Sequence, residues 1–244
     1  MRAPSLIRKP SDGGRSSDAA VQRLERSRHA APQVLDRLRE RIVALDLPPG
    51  IVLSRAELAA TFGISQTPVR DALMRLEEEG LVDVFPQHQT VVSRIDVARA
   101  TQAHFLRRAI ELEVVRTLAA RDDPALVKRL RATIERQRTA LAEGDYPEFV
   151  ACDQAFHRQM YEAAGVPGLW DEVRRRSGHI DRLRRLHLPV AGKGETILRD
   201  HARIADAVAK RDADRAQRRV REHLSGTLAH VDAIRARYPD YLVN

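Results

Sequence analysis

Residues Ser54 to Val92, SRAELAATFGISQTPVRDALMRLEEEGLVDVFPQHQTVV, decide the fold of this chain. Ser54 and Glu57 have the Ser-x-x-Glu spacing of a capping box, in which each side chain takes a backbone N–H left over at a helix start. Leu58, Ala59 and Phe62 give the first helix an apolar face, and Gly63 ends it. Thr67 is placed to cap a second helix with Pro68 at its first position, where proline has no N–H to lose. Val69, Ala72, Leu73 and Leu76 form the apolar stripe of that helix, which stops at Gly80. Two apolar-rich runs follow, Leu81 to Phe85 and Thr90 to Ile95, close enough to pair as a hairpin. Two short helices around a tight turn, then a two-stranded wing, make a winged helix-turn-helix. A helix presented in this way has the dimensions to enter a DNA major groove.

The polar residues of the second helix point the same way. Ser65, Gln66, Thr67 and Arg70 gather at its N-terminal end, the part of a recognition helix that meets base edges. Arg70 suits the O6/N7 edge of guanine, and Gln66 suits adenine. The hydroxyls of Ser65 and Thr67, with unpaired N–H groups at the helix start, suit phosphate oxygens. Both hydroxyls also suit plain capping, and the two roles do not exclude each other. Arg55 and Arg75 are further DNA-binding candidates, or else solvated surface charges. His88, at the wing tip, is a candidate for the wing's own contact.

A length of 244 residues suffices for two domains. A hydrophobic content of 43% with 31% charged residues describes a soluble globular chain, and the 4% aromatic content suits helices cored by Leu, Ala and Val. Cys152 is the single cysteine, which excludes an intrachain disulfide and fits a reducing cytoplasm. It lies in a helical pattern among apolar residues and reads as a buried structural thiol. No apolar run approaches the roughly 18 residues needed to span a bilayer, and the basic N-terminus lacks the apolar core of a secretory signal. The net charge of +8 is unevenly spread: residues 1–97 hold 14 Lys and Arg against 13 Asp and Glu, residues 98–244 hold 28 against 21. Most of the surplus therefore lies outside the helix-turn-helix. Local placement of Arg55, Arg70 and Arg75 has to serve DNA there, because a field decays over about 8–10 Å at physiological salt.

Along the chain, residues 1–31 are expected to form a disordered basic arm, with seven basic residues against three acidic. Residues 32–95 form the winged domain, opened by a helix that starts at Pro32 and ends at Pro48-Pro49-Gly50. Asp96 is the expected N-cap of a long helix running to about Arg121. Breaks at Asp122-Asp123-Pro124, Gly144-Asp145, Gly165 to Gly168, Pro189 to Gly194 and Lys210 to Asp212 divide the rest into about six helices of up to about 25 residues. The fold class is thus mainly α: a winged helix-turn-helix followed by an all-α bundle over residues 96–238, with 239–244 as a tail.

Within the bundle, Asp153 and His157 stand four residues apart, so their side chains share one helix face. His201 and His223 follow on later helices. One carboxylate and three imidazoles would suit a divalent ion such as Zn, Ni or Mn. The spacing by itself is equally that of surface or core-satisfying histidines, and the chain has nine.

The stretch LPPGIVLSRAELAATFGISQTPVRDALMRLEEEGLV resembles the DNA-binding domain of GntR-family bacterial transcription regulators. Pro49-Gly50, Glu57-Leu58-Ala59, Gly63-Ile64-Ser65, Thr67-Pro68-Val69-Arg70, Ala72-Leu73 and Gly80-Leu81 carry the resemblance. It departs from the family at the wing tip, where a glycine is usual and this chain has Gln87-His88-Gln89-Thr90. Arg94 at the wing's end is either a phosphate contact or a surface charge. Residues 98–237 resemble the all-helical FCD effector domain of the FadR-like branch. In that domain an Asp-x-x-x-His pair and two later histidines hold a metal, which here implies Asp153, His157, His201 and His223, with His179 and His187 as substitutes if the alignment slips. The resemblance also places an inward arginine at Arg107, either an effector-carboxylate contact or the ion-pair partner of Glu111. The helix number is similar to that of the VanR-type subgroup.

The resemblance implies a cytoplasmic, homodimeric, ligand-responsive transcription regulator, expected to be a repressor, that binds a palindromic operator. Its effector is expected to be a small carboxylate metabolite held through the divalent metal. The alternatives are an acyl-CoA-type or metal-independent sensor of the same family, an architectural DNA binder, and a metal-dependent enzyme fused to a DNA-binding domain. No HExxH, GxSxG or phosphate-binding glycine loop occurs in residues 98–244 to favour the enzyme.

Overall fold

The computed structural model describes residues 24–25, 29–85 and 89–243. His88 and nearly all of the expected N-terminal arm lie outside the described residues. The elements run α1 (Ala30–Val43), β1 (Val52–Leu53), α2 (Arg55–Phe62), α3 (Gln66–Glu78), β2 (Val82–Phe85), β3 (Gln89–Val92) and β4 (Ile95–Asp96). Then come α4 (Val97–Ala119), α5 (Pro124–Glu143), α6 (Tyr146–Ala163), α7 (Pro167–Arg176) and α8 (Gly178–His187). The chain closes with α9 (Lys193–Ala209), α10 (Ala213–Ser225), α11 (Val231–Arg237) and β5 (Leu242–Val243). The fold is mainly helical, with a small sheet in its N-terminal part.

The chain divides into two compact units. The first comprises residues up to Ala100, Gly178–Leu186 and Asp232 onward. Its winged part is held by Val34, Leu38 and Ile42 of α1, Phe62 of α2, and Val69, Ala72 and Leu76 of α3, all essentially without solvent contact. The expected capping box is half present: Ser54 Oγ accepts the Glu57 N–H at 3.3 Å. Gly63 closes α2 in the left-handed region, φ 65°, where a β-carbon would be strained.

Two helix starts differ from the sequence expectation. α1 begins at Ala30, so Pro32 is in its first turn, and α3 begins at Gln66 with Ser65 as the capping residue. Thr67 and Pro68 are therefore inside α3, and neither Thr67 nor Ser65 makes a side-chain cap bond. The physical reason is shared: the first four helix N–H groups have no intrahelical acceptor, so proline is tolerated throughout the first turn. The sheet also differs. It has three strands, in the order β1-β3-β2, all antiparallel, with Val52 opposite Val91 and Val84 opposite Thr90. β1 is two residues long, too short to show alternation in a sequence.

The same unit contains residues from far along the chain. β5 pairs in parallel with β4, Leu242 opposite Ile95, so the segment expected to be a tail forms a strand. On α8, the fully buried Arg182 donates to the Ser93 carbonyl at 2.7 Å and lies 3.4 Å from Ser93 Oγ. Ser93 Oγ in turn donates to the Gly80 carbonyl at 2.6 Å, just past the end of α3. His179 Nδ1 accepts the Asp96 N–H at 3.0 Å and faces Arg182 at 3.0 Å. Asp96 itself caps α4 as expected, its carboxylate accepting the Arg99 N–H at 2.9 Å.

The second unit comprises Thr101–Ser177 and His187–Val231. Its core is a continuous apolar cluster that includes Val115, Leu130, Phe149, Phe156, Met160, Ile204 and Val220. Asp123, Asp145 and Asp212 cap α5, α6 and α10, at three of the breaks foreseen in the sequence. From α4 to α11 there are eight α-helices among the described residues, where about six were expected. The stretch after Pro167 splits into α7 and α8 because Ser177 turns its hydroxyl back to the Arg174 carbonyl and Gly178 follows, a poor helix former. Gly226 ends α10 and leaves α11 as a separate short helix. No helix among the described residues is long and apolar enough to cross a membrane.

Burial, and next the Arg182 charge, push the His179 imidazole down to about 3 from an ordinary 6.5. Between these values the unfolded chain binds the extra proton, so stability is intact above 6.5 and falls as pH drops toward 3. From pH 7 to about pH 5 this one histidine is expected to cost about 2 kcal/mol. Urea denaturation at the two pH values measures the loss. His179→Gln should lose less than the wild type over that interval, and an equal loss contradicts the assignment.

Candidate functional site

The DNA-facing candidates gather at the start of α3. Gln66, Arg70 and Met74 follow one another at four-residue intervals on the exposed face of that helix. With Ser54 and Arg55 at the start of α2, and Val84, Phe85, Gln89 and Thr90 of the wing, they line one open groove of about 560 Å³. Of the sequence candidates, the structure brings Arg55, Gln66 and Arg70 to this groove. Ser65, Thr67 and Arg75 are exposed but outside its lining, and His88 is outside the described residues. Arg70 meets Asp71 at 3.4 Å with both side chains largely in solvent, a weak pairing that leaves its charge available. Sequence reasoning missed Met74 and Phe85, each about half exposed, which give the groove an apolar floor. The four-residue step from Arg70 was the signal for Met74.

In the second unit, Asp153 and His157 on α6, His201 on α9 and His223 on α10 come together, with their nearest donor atoms all within 4.8 Å of one another. α6 places the first two because its inner face, Phe149, Cys152, Phe156 and Met160, has to be buried, which turns the i and i+4 positions inward. The Phe156 ring stacks on His201 with centroids 4.1 Å apart. His157 and His201 are completely buried. Burial lowers the proton affinity of both, so both imidazoles are neutral at neutral pH.

The ring nitrogens have defined neighbours. His157 Nδ1 lies 2.9 Å from Glu111 Oε2, close in distance though poorly aligned for a hydrogen bond. Glu111 Oε1 accepts from Arg107 Nε at 2.6 Å, both side chains being buried. Arg107 is thus buried and paired with Glu111, the second of its two sequence readings. Burial pushes the Glu111 carboxyl up, yet Arg107 and then His157 hold it below the ordinary value. On the other side, His201 Nδ1 faces Gln137 Oε1 at 2.9 Å. His157 Nε2 and His223 Nε2 face each other at 3.2 Å. His201 Nε2 is buried without a hydrogen bond, 3.4 Å from Asp153 Oδ1. Three imidazoles and one carboxylate converging in this way fit a borderline-soft divalent cation, and the orphaned His201 nitrogen is the atom such an ion would satisfy.

His179 and His187 do not join the cluster. His179 bonds the Asp96 backbone in the first unit, and the His187 ring lies 4.7 Å from His230. Gln137 went unnoticed in the sequence; a polar residue on the buried stripe of α5, beside Leu130 and Ile134, was the available signal. Cys152 donates to Glu148 at 3.3 Å and is buried. Burial and Glu148 push its thiol up to about 11, so it is a structural thiol as expected. It should fail to react with a disulfide reagent at neutral pH until denaturant is added; prompt native-state modification contradicts this.

A winged helix-turn-helix joined to an all-helical domain defines the class of DNA-binding transcription regulators. Residues 30–92 match "Bacterial regulatory proteins, gntR family" and residues 102–226 match "FCD domain". The chain belongs to the GntR family and carries an FCD domain. It is 40% identical over 204 residues to an uncharacterized HTH-type transcriptional regulator in an unstable DNA locus of Streptomyces ambofaciens, spanning 84% of this chain and 86% of that protein. It is 31% identical over 209 residues to the HTH-type transcriptional repressor RspR of Escherichia coli K12, spanning 86% and 92%. Among solved structures, E. coli McbR/YncC shares the fold with a TM-score of 0.71 at 19% identity, covering 86% of this chain and 99% of that one. These families and relatives are transcriptional regulators rather than enzymes.

Proposed function

We propose that this regulator is a repressor that senses a small carboxylate metabolite through a divalent metal ion held by Asp153, His157, His201 and His223. The convergence of those four donors, with a buried imidazole nitrogen that makes no hydrogen bond, is the observation that carries the reading. Zinc, nickel and manganese all suit the donor set. A bound ion would supply Lewis-acid positions for the effector's oxygens. Arg107, buried and paired with Glu111, enters as the effector's cationic contact. RspR is named a repressor, and we extend that sense of regulation to this chain.

On the DNA side, Gln66 and Arg70 read bases, while Arg55, Ser65, Thr67, Arg75 and His88 position the backbone. Residues 1–31 would add nonspecific attraction to phosphates. One winged domain reads few base pairs, so we propose a cytoplasmic homodimer, paired through residues 96–238, on a palindromic operator. The effector then shifts the relation of the two half-site readers. Linkage requires effector and operator to change each other's affinity by the same factor.

Arg70→Ala should weaken specific binding to the protein's own upstream DNA by about 1–3 kcal/mol, roughly 5- to 150-fold, in a gel-shift or anisotropy titration. Unchanged affinity in a folded variant defeats the assignment. For the metal, chelator-stripped protein should gain about 2–3 kcal/mol, or roughly 5–10 °C in Tm, when an ion is supplied at a hundred times its Kd. His201→Ala should abolish the gain. Equal melting of stripped and metal-supplied wild type argues against a metal sensor.

A further inference from the structure

Three side chains outside the ligand set stand behind the imidazoles: Glu111, Gln137 and Arg107. A histidine ligates through one ring lone pair, so its other nitrogen carries the proton, and the group that nitrogen meets decides which is which. For His201 the deciding group is Gln137, which is completely buried. Its amide donates from Nε2 to the Phe149 carbonyl at 3.3 Å, and a carbonyl can only accept. The Oε1 end is therefore the one that faces His201 Nδ1 at 2.9 Å. An acceptor at that position puts the proton on Nδ1 and leaves a lone pair on Nε2. That same Nε2 is the buried atom without a hydrogen bond, 3.4 Å from the Asp153 carboxylate. Two electron-rich atoms facing each other without a proton between them call for a cation.

His157 has a different arrangement with the same outcome. Glu111 is completely buried, and its Oε1 is occupied by Arg107 Nε at 2.6 Å. Oε2 is left to meet His157 Nδ1 at 2.9 Å. The contact is not aligned as a hydrogen bond, but the anion beside Nδ1 favours the proton there and the lone pair on Nε2, toward His223.

We infer that Glu111 and Gln137 are positioning residues that make Nε2 the ligating nitrogen of His157 and His201, and that Arg107 serves the site by holding Glu111. This rests on the metal reading above. The two devices differ in charge: an anion behind His157 raises its basicity, whereas the neutral amide behind His201 mainly orients its ring. Losing Glu111 is therefore the more costly change for metal affinity.

The test uses the full chain, stripped of metal and titrated with Zn²⁺ against a chromophoric chelator, with Co²⁺ absorption as an independent measure of stoichiometry and geometry. Glu111→Gln, which keeps the shape and removes the charge, should weaken Zn²⁺ binding about 10- to 100-fold at unchanged stoichiometry. Gln137→Leu should weaken it less, and Glu113→Gln on the exposed face of α4 should leave it as in the wild type. Stripped Glu111→Gln should still bind DNA as stripped wild type does, which separates positioning from general damage. If burying Arg107 without its anion prevents that variant from folding, the double replacement Arg107→Met, Glu111→Gln removes both charges and should show the same loss. Wild-type binding of one ion per chain, undiminished in the Glu111 and Gln137 variants, overturns this inference alone. A wild type that takes up no ion overturns the metal reading and this inference together.

Discussion

Arg182 brings a full charge to a place where water does not reach, and the first unit is arranged around satisfying it. Burial lowers its guanidinium to about 10, so it is still protonated at neutral pH. Asp83 acts on it through its field, without a hydrogen bond. Its bonding is to the Ser93 carbonyl and hydroxyl and to His179. Those partners are the joints of the winged unit: Ser93 ties back to Gly80 where the recognition helix ends, and His179 takes the Asp96 N–H where α4 begins. A buried charge held mainly by neutral groups, its Nε making no hydrogen bond, needs each of them in place, because losing one leaves a further unpaired group in a dry site. α8 is therefore committed to this unit, although it lies within the stretch that matches the FCD domain.

The second unit meets the same requirement in a chain of charges and dipoles. Arg107 answers Glu111, Glu111 answers His157, and Gln137 answers His201. Each imidazole is left with one nitrogen turned toward a common point. Such a network gives little net stability compared with apolar packing of the same volume, and its value is in fixing geometry. The apolar shell around it, with Phe156 stacked on His201, keeps the rings from turning.

Much of the charge in residues 98–244 is paired off locally. Many of its arginines face carboxylates three residues away along one helix, as Arg116 faces Glu113, Arg138 faces Glu135 and Arg219 faces Glu222. Exposed pairs of this kind contribute little to stability. The proposed DNA contacts are instead a few side chains at the start of α3, in the lining of one groove.

What could be read in the chain was whatever depends on near neighbours. Periodicity and caps located α2, α3, the start of α4 and the breaks at Asp123, Gly144 and Asp212, since each rests on residues within one or two turns. The pairing of Asp153 with His157 was visible for the same reason. The residues behind the clustered imidazoles were not: Gln137 and His201 are 64 positions apart, and Gln137 shows in sequence only as a polar residue on an apolar stripe. Nor were β1, β5 and the attachment of α8, because a two-residue strand has no period and a parallel partner 147 positions away leaves no local trace. Short-range order follows from local backbone preference. The partners of buried polar groups are settled by which distant surfaces the folded core brings within hydrogen-bonding distance.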